Sequence, residues 1–273
     1  MTSRFAARLT RNLLLILLIL FALPADADDP ASFYAEFVNV GAGDCMLMGC
    51  DGYTVMVDTG PATALEKVSE ALYRNKVSLI DCLILTHPHP DHTGNLDYIT
   101  DRYAVGTVIL SGTADYGKEF KNARKMYRGD TLVFGNLEMT AVWPDITPLP
   151  LINDRSLVFS VSYDGFTMLL AADAEADAEA VMVAGRHSIP LKADLLKAGH
   201  HGMETSTTWP FLQAVQPEYA IISCGGQDKT ATLSPVTAEN LTDAGTSVIL
   251  STSENGNIRI EIENRRLTIS TQK

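Results

Sequence analysis

Positive charge is scarce in this chain of 273 residues, because 21 Lys and Arg residues stand against 33 Asp and Glu residues and give a formal net charge of −12. A surface of that sign does not attract polyanions over long range, so any chemistry on nucleic acid must depend on local contacts or bound metal ions. The composition is otherwise ordinary, with 46% hydrophobic and 20% charged residues. It excludes a disordered chain, a collagen-like repeat and a polytopic membrane protein.

Long apolar runs are also missing after the amino terminus. At the amino terminus itself, three arginines precede an apolar run from Leu13 to Leu23, and Ala25-Asp26-Ala27 follows. This is the layout of a signal peptide. Such a run is shorter than the roughly 20 residues that a membrane-spanning helix needs, so we expect cleavage near Ala27 rather than an uncleaved anchor. The sequence thus predicts a signal peptide over residues 1–27, a single domain over residues 28–273, a secreted or periplasmic location, and no stable membrane insertion after cleavage.

Cysteine is sparse as well, with four residues in the chain. If Cys45 and Cys50 share one strand, they lie roughly 16 Å apart, whereas a disulfide needs Cα atoms within about 7 Å of each other. Cys82 and Cys224 sit inside apolar runs, where small buried side chains are expected. Because no C-x-x-C spacing occurs, the sequence does not support a zinc site built from cysteines.

Strand and helix patterns alternate along the chain, which predicts one α/β domain with mixed sheets. Asp51-Gly52 favours a tight hairpin, and the run 79–85, which is apolar except for Asp81, indicates a strand buried on both faces. Strands are predicted at 33–40, 45–48, 53–57, 79–85, 105–110, 131–134, 137–143, 157–163, 167–170, 194–197, 219–223, 247–251, 258–262 and 267–270. Helices are predicted at 65–72, at 174–184 with Gly185 as cap, at 209–215, at 236–243 after Ser234-Pro235, and, by spacing, over the basic segment Lys118, Lys121, Arg124, Lys125 and Arg128.

Of the six histidines, five fall in two clusters. The first cluster is Thr-His-Pro-His-Pro-Asp-His at residues 86–92, directly after the buried strand. Its two prolines disfavour a regular helix and stiffen a loop. His and Asp side chains together suit zinc, or manganese when oxygen ligands dominate. On such a loop, His87 and His89 can face one ion while Asp91 and His92 face another.

The spacing H-x-H-x-D-H resembles the signature of the metallo-β-lactamase fold, and the match is complete. This resemblance implies a four-layer αββα sandwich with mixed sheets. Further segments resemble the branch that includes the extracellular nuclease-like domain of the DNA-uptake family called competence protein EC/Rec2. No block resembling the membrane channel of that family is recognised, so we do not expect the chain to be the importer. The segments are 37–44, 57–60, 153–158, 170–174, 195–202 and 234–235, within a resemblance that runs from about residue 33 to 262.

The resemblance also implies the metal ligands, which would activate a water molecule for hydrolysis with one or two zinc ions, or with manganese. Asp173, at the end of a predicted strand, would bridge two ions. The other expected ligands are His87 and His89 for the first ion, and Asp91, His92 and His200 for the second.

The remaining roles follow from the same resemblance. His201 is expected to face the substrate or to support a ligand, although His200 and His201 could be exchanged. Asp58 would orient the ligating imidazoles. Asp91, His201 and Lys197 are the expected catalytic residues. The role of Lys197 is inferred from its position two residues before Gly199 and not from the resemblance: it either contacts an anionic substrate or extends its charged end to solvent.

Three positions depart from the pattern of the branch. His89 stands where Asp is frequent, Ala42 stands where Gln is usual, and Thr232 stands in place of a histidine at the edge of the active site. In addition, no histidine lies between His92 and His187, where many relatives place a ligand of the first ion. Asn153 or Asp154 fills that position or leaves it to water, and a single-metal enzyme is an alternative to a dinuclear one.

Three functions are compatible with these residues. The leading hypothesis is an exported metal-dependent hydrolase that cleaves phosphodiesters, with single-stranded or short nucleic acid as one substrate class. The first alternative is hydrolysis of a small ester, lactone or β-lactam, because the fold does not decide the function. The second alternative is a non-catalytic binding module with a degraded metal site. The basic segment either receives phosphates or forms a solvated helix face.

Overall fold

The structure, a computed structural model, describes residues 33–120, 122–225 and 232–272. The predicted signal peptide at residues 1–27 lies outside the described residues, and so does Lys121 of the basic segment. Within the described ranges, no helix is long and apolar enough to cross a membrane.

Strands and helices follow one another in nearly the predicted order. The strands are β1 (Phe33–Phe37), β2 (Met46–Cys50), β3 (Tyr53–Val57), β4 (Leu79–Leu85), β5 (Ala104–Ser111), β6 (Ala123–Met126), β7 (Thr131–Phe134), β8 (Leu137–Trp143), β9 (Val158–Tyr163), β10 (Phe166–Leu170), β11 (Leu195–Lys197), β12 (Tyr219–Ile222), β13 (Val248–Ser251), β14 (Asn257–Glu263) and β15 (Arg266–Gln272). The helices are α1 (Leu65–Arg74), α2 (Pro90–Thr93), α3 (Leu96–Arg102), α4 (Ala176–Ala184), α5 (Trp209–Val215), α6 (Pro235–Asp243) and α7 (Thr252–Asn255).

The described strands form two mixed sheets. The first has the order β15-β14-β1-β2-β3-β4-β5-β6, and the second has the order β13-β12-β11-β10-β9-β8-β7. Strands β3 to β6 run parallel to one another, as do β10 to β13, and the other neighbours are antiparallel. In each parallel block the carboxyl ends of the strands therefore meet at one edge. The loops that leave this edge carry the metal-competent side chains.

Three apolar clusters hold four layers together, as the resemblance implies. One cluster lies between the sheets and joins Phe37 of β1 to Phe159 of β9. A second packs α1 and α3 on the outer face of the first sheet, through Leu72 and Ile99. The third packs α4, α5 and α6 on the outer face of the second sheet. This is the predicted αββα sandwich, and it covers both faces of β4 from Cys82 to Leu85.

Several local predictions are confirmed. Asp51 and Gly52 both have positive φ angles, at 49° and 84°, as a tight hairpin turn requires. The Ser234 side chain accepts a hydrogen bond from the Val236 backbone N–H and caps α6, with Pro235 in its first turn. Gly185 caps α4. All four cysteines lie within the described ranges, and they are buried and unpaired as expected.

Two local predictions are wrong. The basic segment does not form a helix, because Arg124 and Lys125 lie on β6, which pairs in parallel with β5 and completes the first sheet. Three of its described cations also face carboxylates: Lys118 pairs with Asp97, and the Arg124 and Arg128 guanidinium groups lie 3.9 Å and 3.8 Å from Asp130 and Asp145. The second error concerns the loop 86–92, where Pro90 does not prevent a helix but begins α2. Proline is tolerated there because the first turn needs no N–H donor.

Glu179 on α4 provides a test of the packing between α4 and α5. Its buried carboxylate accepts hydrogen bonds from the backbone N–H groups of Thr207 and Thr208, the two residues before α5. Burial raises the pKa of this carboxyl group to about 7, although the hydrogen bonds oppose the shift. The folded protein therefore retains the Glu179 proton up to a higher pH than the unfolded chain does.

We expect the free energy of unfolding to lose a contribution from Glu179 as the pH rises from 4.5, the ordinary pKa of a glutamate, to about 7. In this range the unfolded chain has already released the proton, so the loss approaches about 3 kcal/mol near pH 8. Urea unfolding of the wild type and of Glu179→Gln from pH 4.5 to 8 measures this loss as a pH-dependent difference between their free energies of unfolding. The exposed Glu70→Gln on α1 is the control. A difference that stays constant with pH would contradict this role of Glu179.

Candidate metal centre

The H-x-H-x-D-H segment occupies the junction between β4 and α2. His87 follows β4 closely, His89 is the residue before α2, and Asp91 and His92 lie in the first turn of that helix. The imidazoles of His87 and His92 are fully buried, and that of His89 is partly exposed. The Nε2 atom of His87 lies 3.0 Å from the Nδ1 atom of His89. The local sequence thus places two pairs of side chains, His87 with His89 and Asp91 with His92, at the carboxyl ends of the parallel strands of the first sheet.

Asp173 lies opposite this segment, three residues beyond the end of β10 in the second sheet. Its Oδ2 atom lies 3.6 Å from His87 Nε2, 3.2 Å from His92 Nε2 and 3.4 Å from His201 Nε2. The structure therefore places the predicted bridging carboxylate between imidazoles from both histidine clusters. Two groups of donor atoms within 4.8 Å of one another share it: His87, His89 and Asp173, and Asp44, His92, Asp173 and His201.

Asp44 is a member of the second group that the sequence did not single out as a ligand. It follows Gly43, whose φ angle is 134° and whose position leaves no room for a side chain, because a Cβ atom would lie 2.4 Å from the Asp91 carbonyl oxygen. The glycine lets the loop after β1 lie against the backbone of α2, where the Asp44 N–H donates to the same carbonyl at 3.3 Å. A glycine immediately before an acidic residue was the available signal for this approach.

Asp58 lies behind His92, at the end of β3. Its Oδ2 atom is 2.7 Å from His92 Nδ1, and it also accepts hydrogen bonds from the backbone and side chain of Thr86. A carboxylate bound to one ring nitrogen directs the other nitrogen outward, which is how ligating histidines are commonly held. The Asp58 contact leaves His92 Nε2 directed at Asp173. The geometry is therefore compatible with the orienting role predicted for Asp58.

The charges of the group are strongly coupled. Burial opposes ionisation of Asp173, but the charges of His201 and His92 outweigh it and hold the pKa of Asp173 well below its usual value. In return, and against the effect of their own burial, Asp173 raises the pKa of His92 well above its usual value and that of His201 to about 9. Burial lowers the pKa of His87. In the absence of a metal ion, imidazolium groups therefore neutralise Asp173, and a bound cation would displace their protons.

Unsatisfied polar atoms converge on this place. Within the two groups of donors, four buried side-chain atoms have no hydrogen-bond partner: Asp44 Oδ1, His92 Nε2, Asp173 Oδ1 and His201 Nε2. Buried polar groups are normally satisfied, so such a concentration calls for a ligand. Imidazole nitrogens with carboxylate oxygens form a donor set that suits zinc, manganese or iron. The residues present therefore fit a divalent metal ion, and one shared carboxylate fits two adjacent ions.

The second histidine cluster is arranged differently from the prediction that favoured His200. The Nε2 atom of His200 lies 4.0 Å from Asp173 Oδ2, and its Nδ1 atom contacts Thr205 Oγ1 at 2.9 Å and Glu175 Oε1 at 3.0 Å. His201, which is almost completely buried, joins the second group instead. The structure thus favours the exchanged assignment of the two histidines. The cause is the backbone, since both residues have positive φ angles, 42° and 54°, which turn successive side chains in directions that strand spacing does not predict.

Asp154 does not belong to either of the two groups of donor atoms. Asp154 is buried and accepts hydrogen bonds from the backbone N–H groups of Glu175 and Ala178, so its carboxylate supports the start of α4. The Asn153 side-chain amide donates to Glu175 Oε1 at 2.8 Å and lies 3.4 Å from His200 Nε2. Asp154 is therefore not placed to act as the substitute ligand, whereas Asn153 borders the site through His200.

The other predicted residues lie at different depths. Asp91 lies at the rim, with 36% of its side chain exposed and its Oδ2 atom 3.4 Å from His201 Nε2. Burial opposes its ionisation, but the nearby His201 imidazole and the His92 charge lower its pKa to about 2. Lys197 is buried, 2.7 Å from Asp44. Thr232 is exposed.

This site and fold define the class of the protein. Residues 38–226 match the family model of the metallo-beta-lactamase superfamily, and the chain belongs to that superfamily. The fold is also seen in the metallo-beta-lactamase fold protein YhfI from Bacillus subtilis, with a TM-score of 0.60 at 13% identity over 85% of this chain and 99% of that one.

Curated relatives confirm the resemblance to the competence branch. The chain is 27% identical to ComE operon protein 3 of Bacillus subtilis, and the match covers 93% of the chain. It is 28% identical to Recombination protein 2 of Haemophilus influenzae, with 71% of the chain covered. The matched regions span 36% and 24% of the lengths of these two relatives.

Proposed function

We propose that the protein is an exported metal-dependent hydrolase that holds two adjacent ions and cleaves phosphodiesters. The observation that carries this proposal is the position of Asp173, whose carboxylate has an unsatisfied oxygen and is shared by two groups of largely buried donors. Two-ion sites of this kind are used for in-line displacement at phosphorus. The leader-like sequence at residues 1–27 supports export.

Different side chains would bind the two ions. His87 and His89 would hold the first ion, and His92, His201 and Asp44 would hold the second, with Asp173 common to both groups and Asp91 at the rim beside His201. When bound, the ions supply a water molecule of lowered pKa and polarise the oxygen of the scissile group. Zinc fits the histidine-rich donor set, and manganese fits the carboxylates.

The name of one relative, Recombination protein 2, refers to recombination and supports a nucleic-acid substrate. The net charge of −12 limits that proposal. A surface of this sign opposes the binding of long duplexes, whose affinity depends on many phosphate contacts. Short or single-stranded nucleic acid and small phosphodiesters, held locally by the ions, are therefore the proposed substrates.

The experiment uses purified protein that lacks residues 1–27, and its bound metal is measured first. Cleavage of bis(para-nitrophenyl) phosphate, of single-stranded and duplex DNA, and of a chromogenic β-lactam is then measured with zinc or manganese and with a chelator. We expect chelator-sensitive cleavage of the phosphodiester and of short single strands. Turnover of the β-lactam alone would replace the proposal by the small-amide alternative. Less than about one-tenth equivalent of bound metal with no turnover would overturn it in favour of a binding module.

A further inference from the structure

A buried lysine lies behind the candidate metal centre. Lys197 is the last residue of β11, and only 4% of its surface is exposed. Its Nζ atom lies 2.7 Å from Asp44 Oδ2 and donates a hydrogen bond to the Ala198 carbonyl oxygen at 3.1 Å. A buried ammonium group is costly unless a charged partner compensates it. Asp44 provides that compensation.

The space around Lys197 is too small for a substrate. The adjoining cavity between the two sheets has a volume of about 20 Å³, which is room for about one water molecule. Most of its walls are apolar, with Phe37 and Phe159 among them. Lys197 therefore acts on groups of the protein itself. The geometry does not support the direct contact with an anionic substrate that the sequence suggested.

Asp44 stands between Lys197 and the metal-competent atoms. One of its oxygens, Oδ2, is bound by the lysine, whereas Oδ1 is buried without a hydrogen-bond partner and lies 3.8 Å from His201 Nδ1. Asp44 also belongs to the group that contains His92, Asp173 and His201. The same carboxylate is thus available to an internal ammonium group on one side and to a metal ion on the other.

We propose that Lys197 is an internal cation that competes with the second metal ion for Asp44 and so weakens the binding of that ion. This inference rests on the metal binding in the proposed function. In the metal-free protein the ammonium neutralises Asp44. When an ion binds, the lysine shares the carboxylate with it and repels it, so the second position exchanges its ion more readily than the donor set alone would allow. Lys197 is therefore a positioning residue that acts through Asp44.

The variant Lys197→Met removes the charge and keeps much of the apolar stem. We expect the second Mn²⁺ ion to bind at least about tenfold more tightly to this variant than to the wild type, within the range over which neighbours of metal ligands change affinity. The melting temperature of the metal-free variant should fall below that of the metal-free wild type, because Asp44 is left buried and unpaired. Mn²⁺ should then raise the melting temperature of the variant by more than it raises that of the wild type. Calorimetric titration of the metal-free proteins with Mn²⁺ and thermal unfolding give both readouts.

Two further variants isolate the role of Asp44. Lys197→Arg keeps the charge and should bind Mn²⁺ within about threefold of the wild type, since a guanidinium group can also pair with a carboxylate. In an Asp44→Asn background, Lys197→Met should change the affinity by less than about threefold, because the group through which the lysine acts has lost its charge. The comparison of Asp44→Asn with the double variant also tests the inference if Lys197→Met alone does not fold without metal.

The outcomes separate the inference from the proposed function. A wild-type protein that binds no metal ion contradicts both. If the wild type binds Mn²⁺ but Lys197→Met binds it equally well or more weakly, the competition is wrong while the metal centre stands. A tenfold change in the Asp44→Asn background also overturns the inference, because the lysine would then act on the ion without Asp44.

Discussion

Replacing Asp173 by Asn should remove metal binding at both positions and lower the turnover of a chromogenic phosphodiester by at least about a thousandfold, because an ion contributes several kcal/mol to the transition state and each 1.4 kcal/mol is tenfold in rate. Asp173 is the one carboxylate common to both groups of donors. The amide has the same shape, but it has lost the charge that attracts the ions and that balances His92 and His201. Metal analysis and steady-state kinetics on the same preparation measure the two effects.

A matched control for this variant is Asp154→Asn. Asp154 is also buried, and it lies outside both groups of donors. The asparagine retains an oxygen that can accept the hydrogen bonds from Glu175 and Ala178, so this variant should keep its metal. Full metal content and activity in Asp173→Asn would contradict the shared position of the carboxylate. Loss of metal in Asp154→Asn would instead place Asp154 among the ligands.

Replacing Asp91 by Ala should likewise abolish turnover, again by about a thousandfold or more, but it should leave the fold nearly intact. The side chain lies at the rim, 3.4 Å from His201 Nε2. Its pKa of about 2 means that it is ionised at neutral pH and ready to bind a cation. Since the group is partly exposed, solvent screening limits its contribution to the free energy of unfolding to about 1 kcal/mol or less.

The control for Asp91→Ala is Asp101→Ala, an exposed aspartate on α3. Circular dichroism and urea unfolding should give nearly equal stabilities for both variants and the wild type, and turnover should disappear in Asp91→Ala alone. Retention of activity would remove Asp91 from the site. A large loss of stability would show that Asp91 supports the structure of α2 instead.

The two aspartates are expected to differ in metal stoichiometry. Asp173 faces donors of both groups, whereas the contact of Asp91 is with His201 of the second group. Asp91→Ala should therefore retain the ion held by His87 and His89. The pair of variants thus distinguishes a dinuclear site from the single-metal alternative, in which both substitutions would remove the same ion.

Much of the fold is readable in the sequence because its signals are local. The alternation in β14 and the largely apolar run of β4, interrupted by Asp81, each indicate which faces a strand buries. The cap of α6 lies in two adjacent residues, Ser234 and Pro235. The strand β6 shows the limit, since its exposed basic residues carry no apolar pattern and its state depends on pairing with β5.

The site divides in the same way. The sequence by itself determined that His87, His89, Asp91 and His92 lie together, because the spacing and the preceding buried strand place them on one short segment. Only the tertiary structure decided that His201 rather than His200 joins them, that Asp44 belongs to the group, and that Lys197 is buried behind it. The physical reason is that these three assignments depend on contacts between the two sheets, on left-handed backbone at the second histidine pair, and on the close approach of Gly43 to α2. Residue spacing along the chain carries none of this information.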